Sequence, residues 1–542
     1  MKKKPDTLNL KPARQTGRPE IIIGSRGSDL ALWQANFILE QLSDAGVKAE
    51  IKIIKTKGDK IEDVGFDKME GKGFFTKELE DALLLKEIDL AVHSHKDLPT
   101  KMPKGLIIAA VSYRENPSEL LLINKKSVDA NQSGGLWRVK QNAVIGTSSA
   151  RRKSQILAFR PDLKIEDLRG NVPTRIQKLR DKKYDAIMLA KAGVERLGID
   201  TEEFHTEIIS PKEFIPAPAQ GVLAIQVRET DKNLVATLQK IHSPEVSVLT
   251  GIERGVLSLF DGGCQLPLGV YCEQAENKEE EIIYKAWVSK AEKWNKVPQY
   301  FYFESKKAET FAEKIAAKIN AVKPSKIFIT RDIRKNDFFQ KTLEASGYRV
   351  SGISLIETKR ITIKKMPKTD WVFFSSKNAV KHFFEQAQNV EGSKLAAVGK
   401  ATSDELRKFN KRADFIGYST DTQLTGKQFA SLAGSKIILF PQAKGSIKTI
   451  QKQFINPQQV IDMSVYETIK NNDKPVPYAD IVVFTSPSNV EAYLEKNKIN
   501  EKQKIVAMGD ATANALKNLG IKTDKMPATF DDMGLVQAVF SI

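Results

Sequence analysis

Ile21-Ile22-Ile23-Gly24-Ser25-Arg26-Gly27-Ser28, running straight into a segment from Leu30 to Leu42, is the stretch on which the fold turns. The three isoleucines read as a short buried strand, and Leu32, Trp33, Phe37 and Leu39 then fall on or near one helical face. The small-residue loop between them faces the helix N-terminus, where backbone N–H groups can hold an anion. Strand, loop and helix in this order begin an α/β unit.

The same punctuation continues outward. Lys48 to Lys55 alternates as a strand, Phe75 to Leu85 has helical spacing, and Ile88 to His93 is an apolar strand ending in polar residues. Val144-Ile145-Gly146-Thr147-Ser148-Ser149 runs into a helix from Arg151, and Ala186 to Leu189 runs into Ala190-Lys191-Ala192-Gly193. Alternation persists to about Val227, which predicts open α/β sheets whose ligands sit at strand C-terminal ends. From Ile241 to Ala321 a helix (Val246 to Leu259), three strands and a helix to Asn320 predict a small α+β domain. Lys323-Pro324-Ser325 is the linker that follows.

Beyond the linker the chain echoes itself. Asp370-Trp-Val-Phe-Phe-Ser-Ser matches Asp480-Ile-Val-Val-Phe-Thr-Ser, Leu395-Ala-Ala-Val-Gly matches Ile505-Val-Ala-Met-Gly, and Lys326-Ile-Phe-Ile matches Lys436-Ile-Ile-Leu. All three pairs share one spacing, so a duplicated α/β half is expected.

The bulk numbers agree with a globular protein of several domains. The chain has 542 residues, 41% apolar and 28% charged, which suggests about three to five domains. No run of about 18 apolar residues predicts a membrane span. Residues 1–19 are polar and basic and read as a disordered leader. Two cysteines, Cys264 and Cys272, argue against a disulfide framework and for a reducing, cytoplasmic location. The net charge of +18 suggests an anionic partner, whether nucleic acid, acidic lipid or a polycarboxylate, although for most of the lysines the plainer reading is a solvated face. Aromatic residues are not interleaved with the basic ones, so a polycarboxylate is preferred to nucleic acid.

Three clusters can carry chemistry. His93-Ser94-His95-Lys96-Asp97 ends a strand with an acid beside a lysine, placed for proton transfer or stabilisation of a cation; a surface ion pair is the plainer reading. Two histidines at i, i+2 without a third ligand are a weak metal signal, and no metal is expected. Thr147-Ser148-Ser149-Ala150-Arg151-Arg152 and Leu168-Arg169-Gly170-Asn171-Val172-Pro173-Thr174-Arg175 place hydroxyls and guanidiniums at turns, suited to polyanions or simply to capping and solvation. Gly262-Gly263-Cys264-Gln265-Leu266-Pro267 places a thiol on a constrained loop, either as a small buried hydrophobe or as an accessible nucleophile.

Together these segments resemble hydroxymethylbilane synthase, also called porphobilinogen deaminase, over residues 20 to 318. Ser25 to Ser28, Ala31-Leu32-Trp33-Gln34, Gly71-Lys72-Gly73-Phe74-Phe75, His93 to Pro99, Thr147 to Arg152, Leu168 to Arg175, Pro218-Ala219-Gln220-Gly221 and Gly262 to Pro267 carry the likeness in order. His95, Ala150 and Pro173 depart from the family's usual Met, Leu and Gly. The resemblance implies a dipyrromethane cofactor, built from the enzyme's own substrate and held by a thioether on Cys264. It implies Asp97 as the acid that protonates the leaving amine of porphobilinogen and stabilises the cationic pyrrole. Ammonia leaves, an azafulvene forms, the growing chain attacks it, and hydrolysis after four rounds frees hydroxymethylbilane. Lys96, Thr147, Ser149, Arg151, Arg152, Arg169 and Gly170 would hold the cofactor with Asp97. Arg26, Ser28, Lys68, Lys72, Arg169, Arg175, Arg196 and Gln220 would hold substrate.

The remainder resembles uroporphyrinogen-III synthase through the duplication, Val465-Tyr466-Glu467-Thr468, Phe484-Thr485-Ser486-Pro487-Ser488-Asn489 and Gly509-Asp510-Ala511-Thr512-Ala513. That family implies two flavodoxin-like α/β domains joined by a two-stranded linker, with the bilane in the cleft and closure by inversion of the last ring. Ser486 and Thr512 would bind substrate. Tyr466 would assist loss of the terminal hydroxyl or simply pack at a crossing.

The expected organisation is therefore α/β domains 1 and 2 over 20–240, a cofactor-carrying α+β domain over 241–321, and a cyclase over 322–542. Within the cyclase one domain spans about 364–465 and the other about 325–357 plus 469–542. A monomer in the cytoplasm, without membrane or nucleic-acid partners, is expected. The rival readings are a two-lobed anion-binding protein that needs neither Cys264 nor Asp97, and, for the second half, an inactive or regulatory binding module for the bilane.

Overall fold

The computed structural model describes residues 21–55, 76–129, 137–260, 266–276, 280–334, 336–386, 389–417, 422–471 and 473–542. Lys68, Lys72, Cys264 and the leader lie outside the described residues. The chain divides into two compact units: one of Met1–Pro117, Ala190–Ile199 and Ala219–Gly251, the other of Ser118–Leu189, Asp200–Pro218 and Ile252–Ile542.

The first unit is built on a five-stranded sheet in the order Ala49–Ile53, Ile21–Ser25, Leu90–Ser94, Leu223–Arg228, Leu106–Val111. The first three strands run parallel, while Leu223–Arg228 returns antiparallel between its two neighbours. Ile23, Leu90, Val92, Leu223 and Ile225 face the Asp29–Asp44 helix, whose Ala35, Ile38 and Leu42 are buried against them. The opposite face, through Ala91, packs with Ile88 on Leu79 and Leu83 of the Lys77–Leu84 helix. Alternate residues of one strand thus serve two layers, as period two requires. Ile51 and Ile53 are half-buried and exposed, so that edge strand is pinned mainly by its parallel partner.

The second unit begins with another five-stranded sheet, ordered Lys164–Glu166, Val144–Gly146, Ala186–Ala190, Glu119–Ile123, His205–Ile209. Leu121, Ile123, Ile145, Ala186 and Met188 form its core with Trp137 and Phe214. An antiparallel three-stranded sheet, Leu268–Glu276, Ile282–Lys290 and Gln299–Ser305, follows with the Phe311–Asn320 helix, which buries Phe311, Ala312, Ile315, Ala316 and Ile319. That spacing is one helical stripe.

Two further α/β domains complete the unit. One has four parallel strands in the order Arg349–Gly352, Lys326–Ile329, Ile481–Phe484, Lys504–Ala507. The other has six, in the order Ile356–Arg360, Val460–Lys470, Ile438–Ala443, Trp371–Phe374, Lys394–Ala397, Phe415–Ile416. Only the first pair is antiparallel, with Thr358 opposite Thr468 and Arg360 opposite Tyr466, and it is the two-stranded link between the domains.

The duplication is visible element by element. Trp371 and Ile481, Lys377 and Pro487, Lys394 and Lys504, and Lys400 and Asp510 begin equivalent strands and helices at a constant separation of 110 residues. The copies are exchanged: Lys326–Ile329 of the first copy pairs with Ile481–Phe484 of the second, and Ile438–Ala443 of the second pairs with Trp371–Phe374 of the first. Read in repeat order, both sheets are wound 2-1-3-4, the flavodoxin-like order whose ligand crevice lies between strands 1 and 3.

Candidate functional site

In the first unit the turn carrying Asp97 is held at every residue before it. His93 Nε2 is 3.0 Å from Gln226 Oε1, and Ser94 Oγ accepts from Gln34 Nε2 at 2.8 Å. The His95 backbone N–H donates to Val222 O at 2.9 Å, and Lys96 Nζ donates to Gln220 Oε1 at 3.3 Å. His95–Asp97 forms a single 3₁₀ turn, and Asp97 itself is exposed. An exposed carboxylate on a turn with four consecutive anchors has a fixed position without losing access to a ligand.

Beneath the turn lies a polar chain between sheet and helix. Gln226 Nε2 donates to Glu80 Oε1 at 3.4 Å, which leaves Gln226 Oε1 to accept from His93. His93, Gln226 and Glu80 are all buried. Burial holds the imidazole neutral, with its pKa lowered to about 4, while burial raises the Glu80 carboxyl above its ordinary value.

The Pro218-Ala219-Gln220-Gly221 loop closes this corner. Arg196 donates to Gly221 O at 2.7 Å and lies over the Trp33 ring at 5.6 Å, and Arg114 Nε donates to Gln220 O at 3.1 Å. Gly221 has φ +89°, and a Cβ there would lie 2.3 Å from Glu115 O, so no other residue fits. Arg196 Nε is buried and has no partner among the described residues. Burial lowers the Arg196 pKa, with Glu115 pulling the other way. Arg26 and Ser28 sit half-buried just past the end of the Ile21–Ser25 strand, and Ser28 Oγ caps the following helix by accepting from Ala31 N–H at 3.4 Å.

In the second unit Ser149 Oγ accepts from Arg152 N–H, capping the Ala150–Phe159 helix, and Thr147 Oγ1 accepts from Ser149 N–H at 3.3 Å. Each hydroxyl keeps its own O–H to donate to a carboxylate. Arg151 and Arg152 are buried and engaged by the protein itself. Both grip Glu119, which is fully buried: Arg151 at 2.7 Å, Arg152 through Nε at 3.1 Å and NH2 at 2.7 Å. Arg151 also donates to Ile215 O at 2.8 Å and Arg152 to Met188 O at 3.0 Å. Two guanidiniums against one carboxylate leave a surplus positive charge at a helix N-terminus, which already favours anions. Arg169 is half-buried, and Arg175 Nε donates to Gly170 O at 2.7 Å. Gly170 has φ +104°, and a Cβ there would meet Thr174 Cγ2 at 2.7 Å.

In the six-stranded domain Tyr466 is buried, its hydroxyl 3.2 Å from Ser376 Oγ and its ring stacked on His382 at 5.3 Å. Burial raises the phenol pKa and the Ser376 contact opposes this. Ser376 also caps the Lys377–Phe384 helix. In the four-stranded domain Ser486 caps the Pro487–Leu494 helix, accepting from the Asn489 backbone at 3.3 Å and side chain at 3.1 Å, and Thr512 is buried. Thr330 and Thr485 join the ends of strands 1 and 3 there, Thr485 Oγ1 donating to Thr330 O at 2.9 Å.

Glu119, Gln226, Glu80 and Ser376 were not reached by sequence reasoning. Ser376 had a signal, since it precedes Ser486 by the repeat length of 110 residues; the others did not. Among the described residues no three His, Cys, Asp or Glu gather to hold a metal, and no helix is long and apolar enough to cross a membrane.

Comparison with known proteins gives two matches along the chain. Residues 21–236 match the family described as porphobilinogen deaminase, dipyrromethane cofactor binding domain, and residues 337–538 match the family described as uroporphyrinogen-III synthase HemD. The porphobilinogen deaminase of Oceanobacillus iheyensis is 46% identical over 271 residues, covering 50% of this chain and 84% of that protein. That of Nitratiruptor sp. is 45% identical over 267 residues, covering 49% and 82%. The crystal structure of uroporphyrinogen-III synthetase from Helicobacter pylori is 19% identical, with a TM-score of 0.31 over 40% of this chain and 98% of that one.

Proposed function

Because the chain belongs to the porphobilinogen deaminase family and continues into a uroporphyrinogen-III synthase domain, we propose that Asp97 and Cys264 carry the chemistry of its first half and that Tyr466 assists its second. The protein is a bifunctional enzyme of haem biosynthesis, and its first half is a dipyrromethane-cofactor-binding domain.

The residues present suit such a cofactor. Two linked pyrroles bring several carboxylates, and in the second unit the Thr147 and Ser149 hydroxyls, the surplus charge of Arg151 and Arg152, Arg169 and the Gly170 turn supply donors for them. Cys272 is buried, with its backbone N–H bound to Glu253 at 2.7 Å, and the sequence has one other thiol, Cys264. When bound, the dipyrromethane supplies a free pyrrole α-carbon as the starting nucleophile.

The chain's own groups do the rest. Asp97 protonates the aminomethyl nitrogen of porphobilinogen, the C–N bond breaks, and ammonia leaves with the bonding electrons. The Asp97 carboxylate then faces the cationic pyrrole. Arg26, Ser28, Lys68, Lys72, Arg175, Arg196 and Gln220 hold the acetate and propionate groups, Arg196 with an Nε that has no partner among the described residues. In the second half Ser486 and Thr512 bind the bilane, and the Tyr466 phenol, kept protonated by burial, gives a proton to the departing hydroxyl. We read the enzyme as a cytoplasmic monomer.

The observation that carries this reading is the exposed Asp97 carboxyl on a turn anchored through His93, Ser94, His95 and Lys96. Intact-mass measurement tests the cofactor: the purified protein should carry two pyrroles, Cys264→Ala should lose them together with activity, and Cys272→Ala should keep them. An unmodified, active protein would refute the attachment. For the second half, porphobilinogen fed to the full chain should yield the type III isomer.

A further inference from the structure

The last helix, Asp532–Phe540, has no solvent face. Beyond Asp532 its one polar side chain is Gln537, and every residue from Met533 to Phe540 is buried. A helix that closes an isolated α/β domain needs one apolar stripe and keeps a polar back. A helix buried all round needs cover on both sides.

One cover is the synthase domain: Phe540 meets Tyr348 edge-on at 5.7 Å. The other belongs to the deaminase half. Phe540 packs on Phe301 at 5.3 Å, in the edge strand Gln299–Ser305 of the three-stranded sheet. The Tyr302 backbone N–H on that edge donates to Ser541 Oγ at 3.1 Å, and Gln537 Nε2 donates to Lys212 O at 3.4 Å. Gln537 and Ser541 are four apart and share a face. The synthase thus caps an open sheet edge that would otherwise offer bare N–H groups to other chains.

Two more contacts lie along the same seam. Phe338 stacks on Phe159 of the preceding α/β domain at 5.2 Å with an interplanar angle of 13°. Lys525 Nζ lies over the Tyr302 ring at 5.6 Å. Beside the Lys525–Tyr302 contact is a chamber of about 790 Å³ walled by Glu273, Lys285, Trp287 and Glu304 from the sheet and by Asp524 and Lys525 from the synthase. Lysines and acids are matched across it, which suits a wet interface better than a pocket for a polyanion.

We infer that the C-terminal helix docks the synthase onto the second and third domains of the deaminase, so that the Lys323-Pro324-Ser325 segment is a spacer within one rigid body and not a hinge. A tether this short keeps the partners at roughly millimolar effective concentration, so the contact forms in every molecule.

The full chain, carrying a protease site inserted between Lys323 and Ser325, is folded, purified and then cut. At micromolar concentration the two pieces should still elute together, and a Phe338→Ala, Gln537→Ala, Ser541→Ala variant should come apart. Hydrogen exchange on the uncut wild type is the second readout: the Tyr302 amide should be protected, and Ser541→Ala should speed its exchange about five-fold, the loss of one neutral hydrogen bond. Wild-type pieces that elute separately, or a Tyr302 amide that exchanges as a bare edge amide, would overturn the inference.

Discussion

Arg152 lies along the Glu119 carboxylate with two donors on one oxygen, Nε at 3.1 Å and NH2 at 2.7 Å, in a place where both side chains are buried. Removing one partner of such a pair leaves an uncompensated buried charge, which costs about 3–5 kcal/mol. Glu119→Gln should therefore lower the stability of the second unit by about that much in urea titrations. A change below about 1 kcal/mol would mean that the ion pair is replaceable by neutral hydrogen bonds.

Asp97→Asn keeps the shape of the turn and its four anchors but loses the acid and the charge. Deaminase kcat should fall by about 10²-fold or more, with KM changing far less, because other residues hold the carboxylates. Steady-state kinetics decide this, and near-normal kcat in a folded variant removes Asp97 from the chemistry.

His93 makes the first unit sensitive to acid. Its folded pKa of about 4 lies below the ordinary 6.5, so the unfolded chain takes up a proton first as pH falls. The neutral imidazole's full stability is present above about 6.5 and is lost progressively down to about 4, amounting to about 3 kcal/mol. Glu80, shifted upward, acts in the opposite sense, binding its proton in the folded state first. Comparing wild type with His93→Gln isolates the histidine. The difference in hydrogen-exchange stability of the Leu90–Ser94 strand should shrink between pH 6.5 and pH 4, and a pH-independent difference would contradict a buried neutral His93.

Tyr466→Phe keeps the stack on His382 and removes the hydroxyl contact with Ser376. Type III product formation should slow by about tenfold or more if the phenol donates its proton, against a stability loss of about 1 kcal/mol. Since burial raises the phenol pKa above 10, wild-type cyclisation should show no loss of this acid between pH 7 and pH 9. Unchanged isomer rates in Tyr466→Phe would leave the ring with packing alone.

The parts of this architecture that recur locally were legible in the sequence. Ile21 to Ser28 announced its strand and loop because apolar and small residues change over within a few positions, and the synthase duplication showed through strand ends that kept the same residues 110 positions apart. What was hidden depends on distant pairing. Glu119 meets its arginines 32 and 33 residues later, and Gln226 joins Glu80 across 146 residues, so no window of sequence contains either relationship. Val536, Ala538, Val539 and Phe540 are apolar around Gln537, but which surfaces cover them is a property of the assembled chain.

The exchanged strands of the synthase half make its two copies of the repeat interdependent. A single copy of the repeat would contain strands 1 and 2 of one sheet and strands 3 and 4 of the other, and could complete neither. Two such copies, however, complete both sheets reciprocally, as a swapped homodimer does. In one chain, each half therefore needs the other to fold, and neither sheet closes until both copies of the repeat are present.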